Sequence, residues 1–290
     1  MENIVQEKAY AKLNISLDIA GRRDDGYHDM VMVMQTVSLA DDICIEFTDD
    51  DEIKADTGIS YIPQGDQNLG VKAAKQFFDS SGIKTHGMKI HMKKTIPVGA
   101  GMAGGSADGA AVLRALNREY GYPLDNDSLL RAAAKVGSDV AFCTLGGTAL
   151  AKGRGEILTS LEEFPQCAIL IAKPTFSIST PELFKAIDKS RIKTHPDTEG
   201  IIKALESGNL DDICRRMYNV FEEVQDRRLK VVTEIKNTMM QYGTKGTIMT
   251  GTGSAVFGVY DVTSDLNEIR EKFKKEYGFC EIAYPVGKLI

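Results

Sequence analysis

The sequence lacks long apolar runs and paired cysteines. No run approaches the ~18 residues of a membrane span, and the polar N-terminus, Met1–Lys8, is not typical of a secretory signal peptide. The five cysteines are odd in number and far apart, without a Cys-x-x-Cys pair. This pattern argues against a disulfide framework and against a zinc site, and we expect a cytoplasmic protein.

Positive charge is also scarce. The chain has 35 lysines and arginines against 41 aspartates and glutamates, which gives a net charge of −6. Nucleic-acid-binding domains are usually basic, so this balance argues against a nucleic-acid partner. An anionic substrate must then be held by a local arrangement of groups. His86 and His91 lack the spacing and the neighbours of a metal site, so no metal ligands are predicted.

Periodicity predicts an α+β chain of two domains. The 290 residues exceed a typical domain, and 43% are hydrophobic, which suffices for two cores. Residues 5–19 alternate between apolar and polar side chains, as in a half-buried strand. We place the domains at 1–160 and 161–290, with a ferredoxin-like order of elements in the second. Other expected elements are strands over 30–39 and 43–47, helices over 210–224 and after Thr180, with Thr180 as the N-cap, and a strand over 280–284.

The most informative stretch is rich in glycine and other small residues and leads into a helix. A glycine-rich turn between a strand and a helix directs backbone N–H groups toward one point, and the helix N-terminus adds about half a positive charge. Small side chains let a phosphate approach this backbone closely. We therefore predict a phosphate-binding loop made of Pro97, Val98, Gly99, Ala100, Gly101, Met102, Ala103, Gly104, Gly105, Ser106 and Ala107.

Other interpretations of this stretch stay open. A tight turn would need only one glycine. Gly99–Gly104 also fits the G-x-G-x-x-G pattern of dinucleotide binding, but several strands precede it, and Asp125 and Asp127 lie before a helix and not at a strand end. No Gly-Lys-Ser/Thr closes the stretch, which excludes a Walker A loop. An oxidoreductase and a non-catalytic nucleotide-binding module remain the competing classes.

The stretch Pro97–Ala111 resembles the phosphate loop of the GHMP kinases, P-x-x-x-G-L-x-x-S-S-A. The resemblance covers nearly the whole chain, since further segments match in order: Ala11–Asn14 with Gly21–His28, Val136–Val140 with Gly146–Ala149, and Gly251–Phe257. The A-K-L-N and D-G-Y-H pair is similar to the members that phosphorylate a cytidine diphosphate sugar alcohol for isoprenoid precursor synthesis. The chain departs from the usual pattern at Tyr10, Met102, Thr250 and Thr252.

This resemblance implies the two-domain GHMP kinase fold. The N-terminal domain would be like ribosomal protein S5 domain 2, the C-terminal domain would be ferredoxin-like, and the substrate cleft would lie between them. The implied phosphoryl donor is ATP, with Mg²⁺ carried by the ATP, and the implied acceptor is a cytidine diphosphate sugar alcohol. We expect no nucleic-acid or membrane partner, and a monomer or weak homodimer.

The resemblance also implies roles for individual residues. Asp139 would be the catalytic base and Lys12 its partner, which agrees with a carboxylate kept ionised in a first helical turn. Tyr27 and Phe184 would enclose cytosine, His28 would bond its edge, and Asn14, Asp139 and Thr180 would contact the erythritol. On their own, the same residues fit structural roles, as a helix-start acid, a solvated lysine and core aromatics.

Overall fold

The computed structural model describes residues 4–190 and 192–290; the first three residues of the polar N-terminus and Arg191 lie outside them. In this part of the chain, no helix is both long and apolar enough to cross a membrane. The strands are β1 (Ile4–Arg22), β2 (His28–Thr48), β3 (Ile53–Asp56), β4 (Gly87–Lys93), β5 (Thr148–Gly153), β6 (Ile157–Ser160), β7 (Ala168–Lys173), β8 (Tyr218–Asn219), β9 (Gly246–Met249), β10 (Val256–Tyr260) and β11 (Phe279–Ala283).

The helices cover the sheets that these strands form. They are α1 (Leu69–Ser81), α2 (Gly104–Glu119), α3 (Asn126–Val136), α4 (Ser138–Leu145), α5 (Thr180–Ile187), α6 (Thr198–Glu206), α7 (Leu210–Arg216), α8 (Arg228–Gln241) and α9 (Asn267–Tyr277). α2 packs against β1 and against α1 and α4. Its alanines and leucines are almost all buried, which explains the small-residue composition seen in the sequence.

The larger sheet has seven strands in the order β3-β4-β2-β1-β8, with β5 and β6 added beside β2. The prediction of separate strands over 30–39 and 43–47 is wrong, because β2 continues through Ala40–Asp42 in register with β1. Asp41 interrupts the apolar pattern without ending the strand. Its buried carboxylate accepts the backbone N–H groups of Thr95 and Ile96, so the charge is satisfied inside the sheet.

The smaller sheet is antiparallel, in the order β11-β7-β10-β9. Together with the helices between its strands, this order confirms the ferredoxin-like arrangement. β7 is buried along its whole length, because α9 packs against it and two strands flank it. The loop between β9 and β10 contains Gly251–Gly253 and faces the phosphate loop.

Two local predictions in this half are wrong. The helix expected over 210–224 ends at Arg216, because the buried Asn219 side chain bonds the carbonyls of Met249 and Gly251 and holds this segment extended as β8. β8 then pairs with β1 of the larger sheet. Thr180 is the first residue of α5 and not its N-cap, which is Ser179. The boundary between residues 160 and 161 stays a prediction.

Candidate active site

A cavity of about 750 Å³ lies between the two sheets. Its lining contains Pro97–Ser106, Lys12 and Asp139. Phe184 and Thr180, from the second half of the chain, line it as well. The phosphate loop follows β4, which is antiparallel to β2, so it does not follow the first strand of a parallel βαβ unit as a dinucleotide-binding turn would.

The phosphate loop is held by its carbonyl groups. Ala100 accepts from the N–H of Ala255 at 3.2 Å and Met102 accepts from the N–H of Lys12 at 3.2 Å. The Lys12 N–H is free to do so because a β-bulge interrupts the pairing of β1 at this point. With the carbonyls engaged, the N–H groups of the first turn of α2 lack helical partners and suit an anion in the cavity.

Glycine is required where the phosphate loop meets the β9–β10 loop. Gly101 has a φ of +79°, and a Cβ there would lie 2.1 Å from the carbonyl oxygen of Thr250. A Cβ at Gly251 would lie 2.8 Å from the carbonyl oxygen of Gly101. The two backbones therefore touch without room for a side chain, and the phosphate loop is fixed against the smaller sheet.

Lys12 and Asn14 lie on β1 beside this junction. The buried Lys12 Nζ donates to Asn14 Oδ1 at 2.6 Å, and the Asn14 N–H donates to Thr250 Oγ1 at 3.0 Å. Asp139 is half-buried in the first turn of α4. Within the described residues, no ion pair shorter than 4.0 Å joins Lys12 to Asp139, although both line the cavity. Between them, an acceptor hydroxyl would meet a carboxylate and an ammonium.

The part of the cavity around Phe184 is aromatic and forms what we call its aromatic end. The His28 ring stacks on Phe184, with ring centres 4.8 Å apart and an interplanar angle of 26°. His28 Nε2 lies 2.7 Å from Asp188 Oδ1 on the chain segment after α5. Tyr27 is 57% exposed, and the Arg154 guanidinium lies 5.2 Å from its ring centre. In this conformation, His28 rather than Tyr27 therefore faces the Phe184 ring.

A buried charge cluster lies beneath the phosphate loop. Lys94 Nζ contacts Asp41 Oδ2 and Asp108 Oδ2, each at 2.5 Å, and Asp108 Oδ1 has no hydrogen-bond partner among the described residues. Burial, strengthened by the neighbouring Asp41, raises the pKa of Asp108 to about 7 against the opposing effect of Lys94. One ammonium thus serves two carboxylates, and the second carboxylate holds a proton more readily than usual.

The structure gathers most of the predicted site residues. Lys12, Pro97–Ser106, Asp139, Thr180 and Phe184 line the cavity itself. Asn14 touches Lys12, His28 touches Phe184, Tyr27 lies beside the cavity-lining Arg154, and Ala107 is buried in α2. Sequence reasoning missed three charged residues of the cavity lining, Lys94, Asp108 and Arg154. Lys94 and Asp108 lie close in sequence to the glycine-rich stretch, and this proximity could have indicated them. The two glycines that flank Arg154, Gly153 and Gly155, could have indicated a turn at the cavity.

Comparisons with known proteins agree with this geometry. The family model of the GHMP kinases N terminal domain matches residues 68–147, and that of the GHMP kinases C terminal matches residues 201–278. A 4-diphosphocytidyl-2-C-methyl-D-erythritol kinase of Caldicellulosiruptor saccharolyticus is 42% identical over 267 residues, 92% of this chain and 92% of the relative. Its counterpart in Bacillus subtilis is 40% identical over 282 residues, 97% and 96% of the two chains.

Solved structures extend the likeness to the fold. A 4-(cytidine 5'-diphospho)-2C-methyl-D-erythritol kinase matches with a TM-score of 0.80 and 30% identity, over 97% of this chain and 99% of that chain. A homoserine kinase from Cytophaga hutchinsonii matches with a TM-score of 0.76 at 17% identity, over 99% and 96% of the two chains. The second likeness shows a shared fold alone.

A phosphate loop across a cavity from Asp139, in a chain that matches both family models, defines an ATP-dependent small-molecule kinase of the GHMP class. Within that class, the chain belongs to the family of 4-diphosphocytidyl-2-C-methyl-D-erythritol kinases. The predicted GHMP kinase fold is thereby confirmed.

We predict that Gly101→Ala weakens ATP binding. Its Cβ would overlap the Thr250 carbonyl, so the loop must shift, and shifts of ~1 Å in a site can cost ~10²-fold. We expect the KM for ATP to rise at least about tenfold. Gly82→Ala is the matched control, since Gly82 also has a left-handed φ, of +68°, but has no atom within 4 Å of a Cβ. Equal KM values for both variants would contradict the assignment.

We also predict that Asp108 makes stability fall as the pH rises. Its pKa near 7 in the folded state exceeds the value of ~4 in the unfolded chain, so folding binds a proton between these values. This contribution is complete below pH ~4 and is lost as the pH passes 7. Denaturant unfolding between pH 5 and pH 8 should show wild type losing stability relative to Asp108→Asn. If the difference in unfolding free energy between wild type and Asp108→Asn is the same at pH 5 and pH 8, the prediction is contradicted. Asp127→Asn, which replaces an exposed acid, is the control.

Proposed function

We propose that this protein transfers the γ-phosphoryl group of ATP to the 2-hydroxyl of 4-diphosphocytidyl-2-C-methyl-D-erythritol. The products would be the 2-phosphate and ADP, in the non-mevalonate route to isoprenoid precursors. The observation that carries the proposal is the cavity itself, which is lined by the phosphate loop at the N-terminus of α2, by Asp139 and by Lys12. The names of the relatives support the choice of acceptor.

The phosphate loop would hold the ATP phosphates through backbone N–H groups and the α2 dipole. Catalysis of phosphoryl transfer depends mostly on positioning and on neutralising the charge of the moving group. Lys12, desolvated and fixed by Asn14, would supply a positive charge beside the transferred phosphoryl group. Asp139 would accept the proton of the attacking hydroxyl as general base.

A cysteine nucleophile does not compete with this scheme. Cys143 lies on the same helix as Asp139, but it is fully buried, and burial, helped by the nearby Asp139 charge, raises the pKa of its thiol to about 12. Its thiol is therefore protonated at neutral pH and has no access to the cavity. Direct transfer to the acceptor hydroxyl is the simpler reaction for this set of residues.

The acceptor would lie with its base at the aromatic end of the cavity. Phe184 and Tyr27 offer ring faces, and His28 offers a hydrogen-bonding edge. Thr180, which shares a 2.8 Å hydrogen bond with Thr252, would contact the sugar alcohol. Since His28 stacks on Phe184 here, a base that enters between Tyr27 and Phe184 would displace the His28 ring. Asp188 would then guide the position of that ring.

Magnesium would come with the nucleotide. Across the described residues, no three His, Cys, Asp or Glu side chains converge in the manner of a metal site. Mg²⁺ commonly keeps several waters and binds through substrate phosphates, so ATP itself would supply most of its ligands. A cytoplasmic protein and a monomer or weak homodimer remain predictions, and the five free cysteines are compatible with the first.

The activity can be tested with an assay coupled to ADP release. The protein should release ADP with the cytidine diphosphate substrate and Mg-ATP, and it should be nearly inactive with homoserine or mevalonate. ADP release with homoserine or mevalonate, but not with the cytidine diphosphate substrate, would overturn the proposed acceptor. ATP binding without any ADP release would support a non-catalytic nucleotide-binding module.

Replacing Asp139 tests the chemistry. Asp139→Asn keeps the shape of the side chain but removes the base, and loss of a general base costs ~10²–10⁴ in rate. We expect kcat to fall in this range, with both KM values changed little. Asp127→Asn is the matched control, because Asp127 is also an acid in a first helical turn but lies outside the cavity. A near-native kcat for Asp139→Asn would leave Asp139 only a helix-start residue.

Replacing Tyr27 tests the base site. Stacking on an aromatic ring contributes ~1–3 kcal/mol per base, so Tyr27→Ala should raise the KM for the cytidine substrate at least about fivefold. The KM for ATP should stay nearly constant. Tyr284→Ala removes another exposed tyrosine, outside the cavity lining, and should leave both constants unchanged. If Tyr27→Ala instead raises the KM for ATP and leaves that for the cytidine substrate unchanged, the two nucleotide sites have been assigned the wrong way round.

A further inference from the structure

Arg154 is a cavity-lining cation to which neither the sequence motifs nor the reaction scheme gives a role. It lies at the tip of the turn Gly153–Gly155, between β5 and β6, and is exposed. Its guanidinium carbon lies 5.2 Å from the centre of the Tyr27 ring. Arg154 is thus an accessible positive charge at the border of the aromatic end.

The turn also touches the catalytic end of the cavity. A Cβ built on Gly155 would lie 3.6 Å from the Cβ of Ser138, the residue directly before Asp139. Ser138, Asp139 and Arg154 all line the same cavity. The Arg154 side chain therefore projects from a turn that packs against the start of α4 and contacts Tyr27 at its other side.

Arg154 lacks the acidic partners that the other arginines nearby possess. Among residues 4–190 and 192–290, its side chain makes no ion pair shorter than 4.0 Å, whereas Arg23 pairs with Asp25 and Asp29. Asp25 lies near enough for the charge of Arg154 to help lower its pKa, but its carboxylate already accepts hydrogen bonds from the Tyr27 N–H, which lowers that pKa most, and from Arg23. The guanidinium is therefore available for an anion from solution.

The other cations of the cavity are already engaged. Lys94 is buried between Asp41 and Asp108, and Lys12 donates to Asn14 beside the phosphoryl-transfer centre. An acceptor that joins a base to a sugar alcohol through a diphosphate must place that diphosphate between the aromatic end and Asp139. Among the described residues, Arg154 is a cavity-lining cation without an anionic partner, and it contacts Tyr27 while its turn packs against Ser138.

We propose that Arg154 binds the diphosphate of the acceptor substrate and so selects nucleoside diphosphate-linked alcohols. The inference rests on the proposed function for the identity of the acceptor. An arginine suits this position, since its planar guanidinium donates two parallel hydrogen bonds to phosphate oxygens and stays charged at any physiological pH. Contact with the Tyr27 ring holds the guanidinium in place by a cation–π interaction while leaving its N–H groups free.

The test compares ligands with and without the diphosphate. Cytidine diphosphate and cytidine are titrated as competitive inhibitors against the wild type, Arg154→Gln, Arg154→Lys and Lys152→Gln. Lys152→Gln is the matched control, because it removes one positive charge two residues away at an exposed position outside the cavity lining. Thermal unfolding of each variant verifies that it is folded.

We expect Arg154→Gln to weaken cytidine diphosphate about 10- to 100-fold, the range for a lost charge-assisted hydrogen bond, and to leave cytidine nearly unchanged. In steady-state assays the KM for the full substrate should rise equally, with kcat and the KM for ATP unaffected. Arg154→Lys should restore part of the loss, and Lys152→Gln should match the wild type.

Three results would overturn the inference. Unchanged affinity of Arg154→Gln for cytidine diphosphate would exclude a contact with the diphosphate. An equal loss for cytidine and cytidine diphosphate would show that Arg154 acts only by supporting Tyr27. A wild type that neither binds cytidine diphosphate nor phosphorylates the full substrate would overturn the proposed function itself, whereas the first two results would leave that function intact.

Discussion

The site depends on a contact between two backbones that leaves no room for side chains. Gly101 of the phosphate loop and Gly251 of the β9–β10 loop approach so closely that a Cβ on either would overlap the backbone of the other loop. β1 is tied to the same junction, through the Lys12 N–H to Met102 and the Asn14 N–H to Thr250. The phosphate loop, a lysine and the smaller sheet thus meet at one point, which would fix the distances on which phosphoryl transfer depends.

Groups inside the cavity must bind anionic substrates against the negative overall charge of the chain. A chain of net charge −6 repels anionic substrates at long range, so binding must come from short-range groups. The phosphate loop uses backbone N–H groups, and the nearby Lys94 is neutralised by Asp41 and Asp108 beneath it. Two further cations, the buried Lys12 and the exposed Arg154, also line the cavity, where the moving phosphoryl group and the acceptor would need them.

The sequence predicts a candidate site best where the site is formed by the backbone of one local segment. Glycines at fixed spacing between a strand and a helix leave a local signal, and the loop that carries this signal lines the cavity before α2. Contacts between distant segments leave none: His28 and Asp188 are 160 residues apart. The helix expected over 210–224 failed for the same reason, because the partners that hold Asn219 extended come from another loop. Side-chain pairs that form only after folding have no period to detect.

This division between backbone and side-chain recognition also explains how one fold can serve different acceptors. The phosphate loop offers main-chain N–H groups to an anion, and such groups tolerate sequence change wherever glycine is kept. The acceptor end is instead lined by side chains from separate segments, including Phe184 from α5 and Arg154 from the turn after β5. Each of these can change without disturbing the Gly101–Gly251 junction. With the proposed function, selection of the acceptor would reside in these few side chains, while the backbone junction would maintain the geometry of transfer.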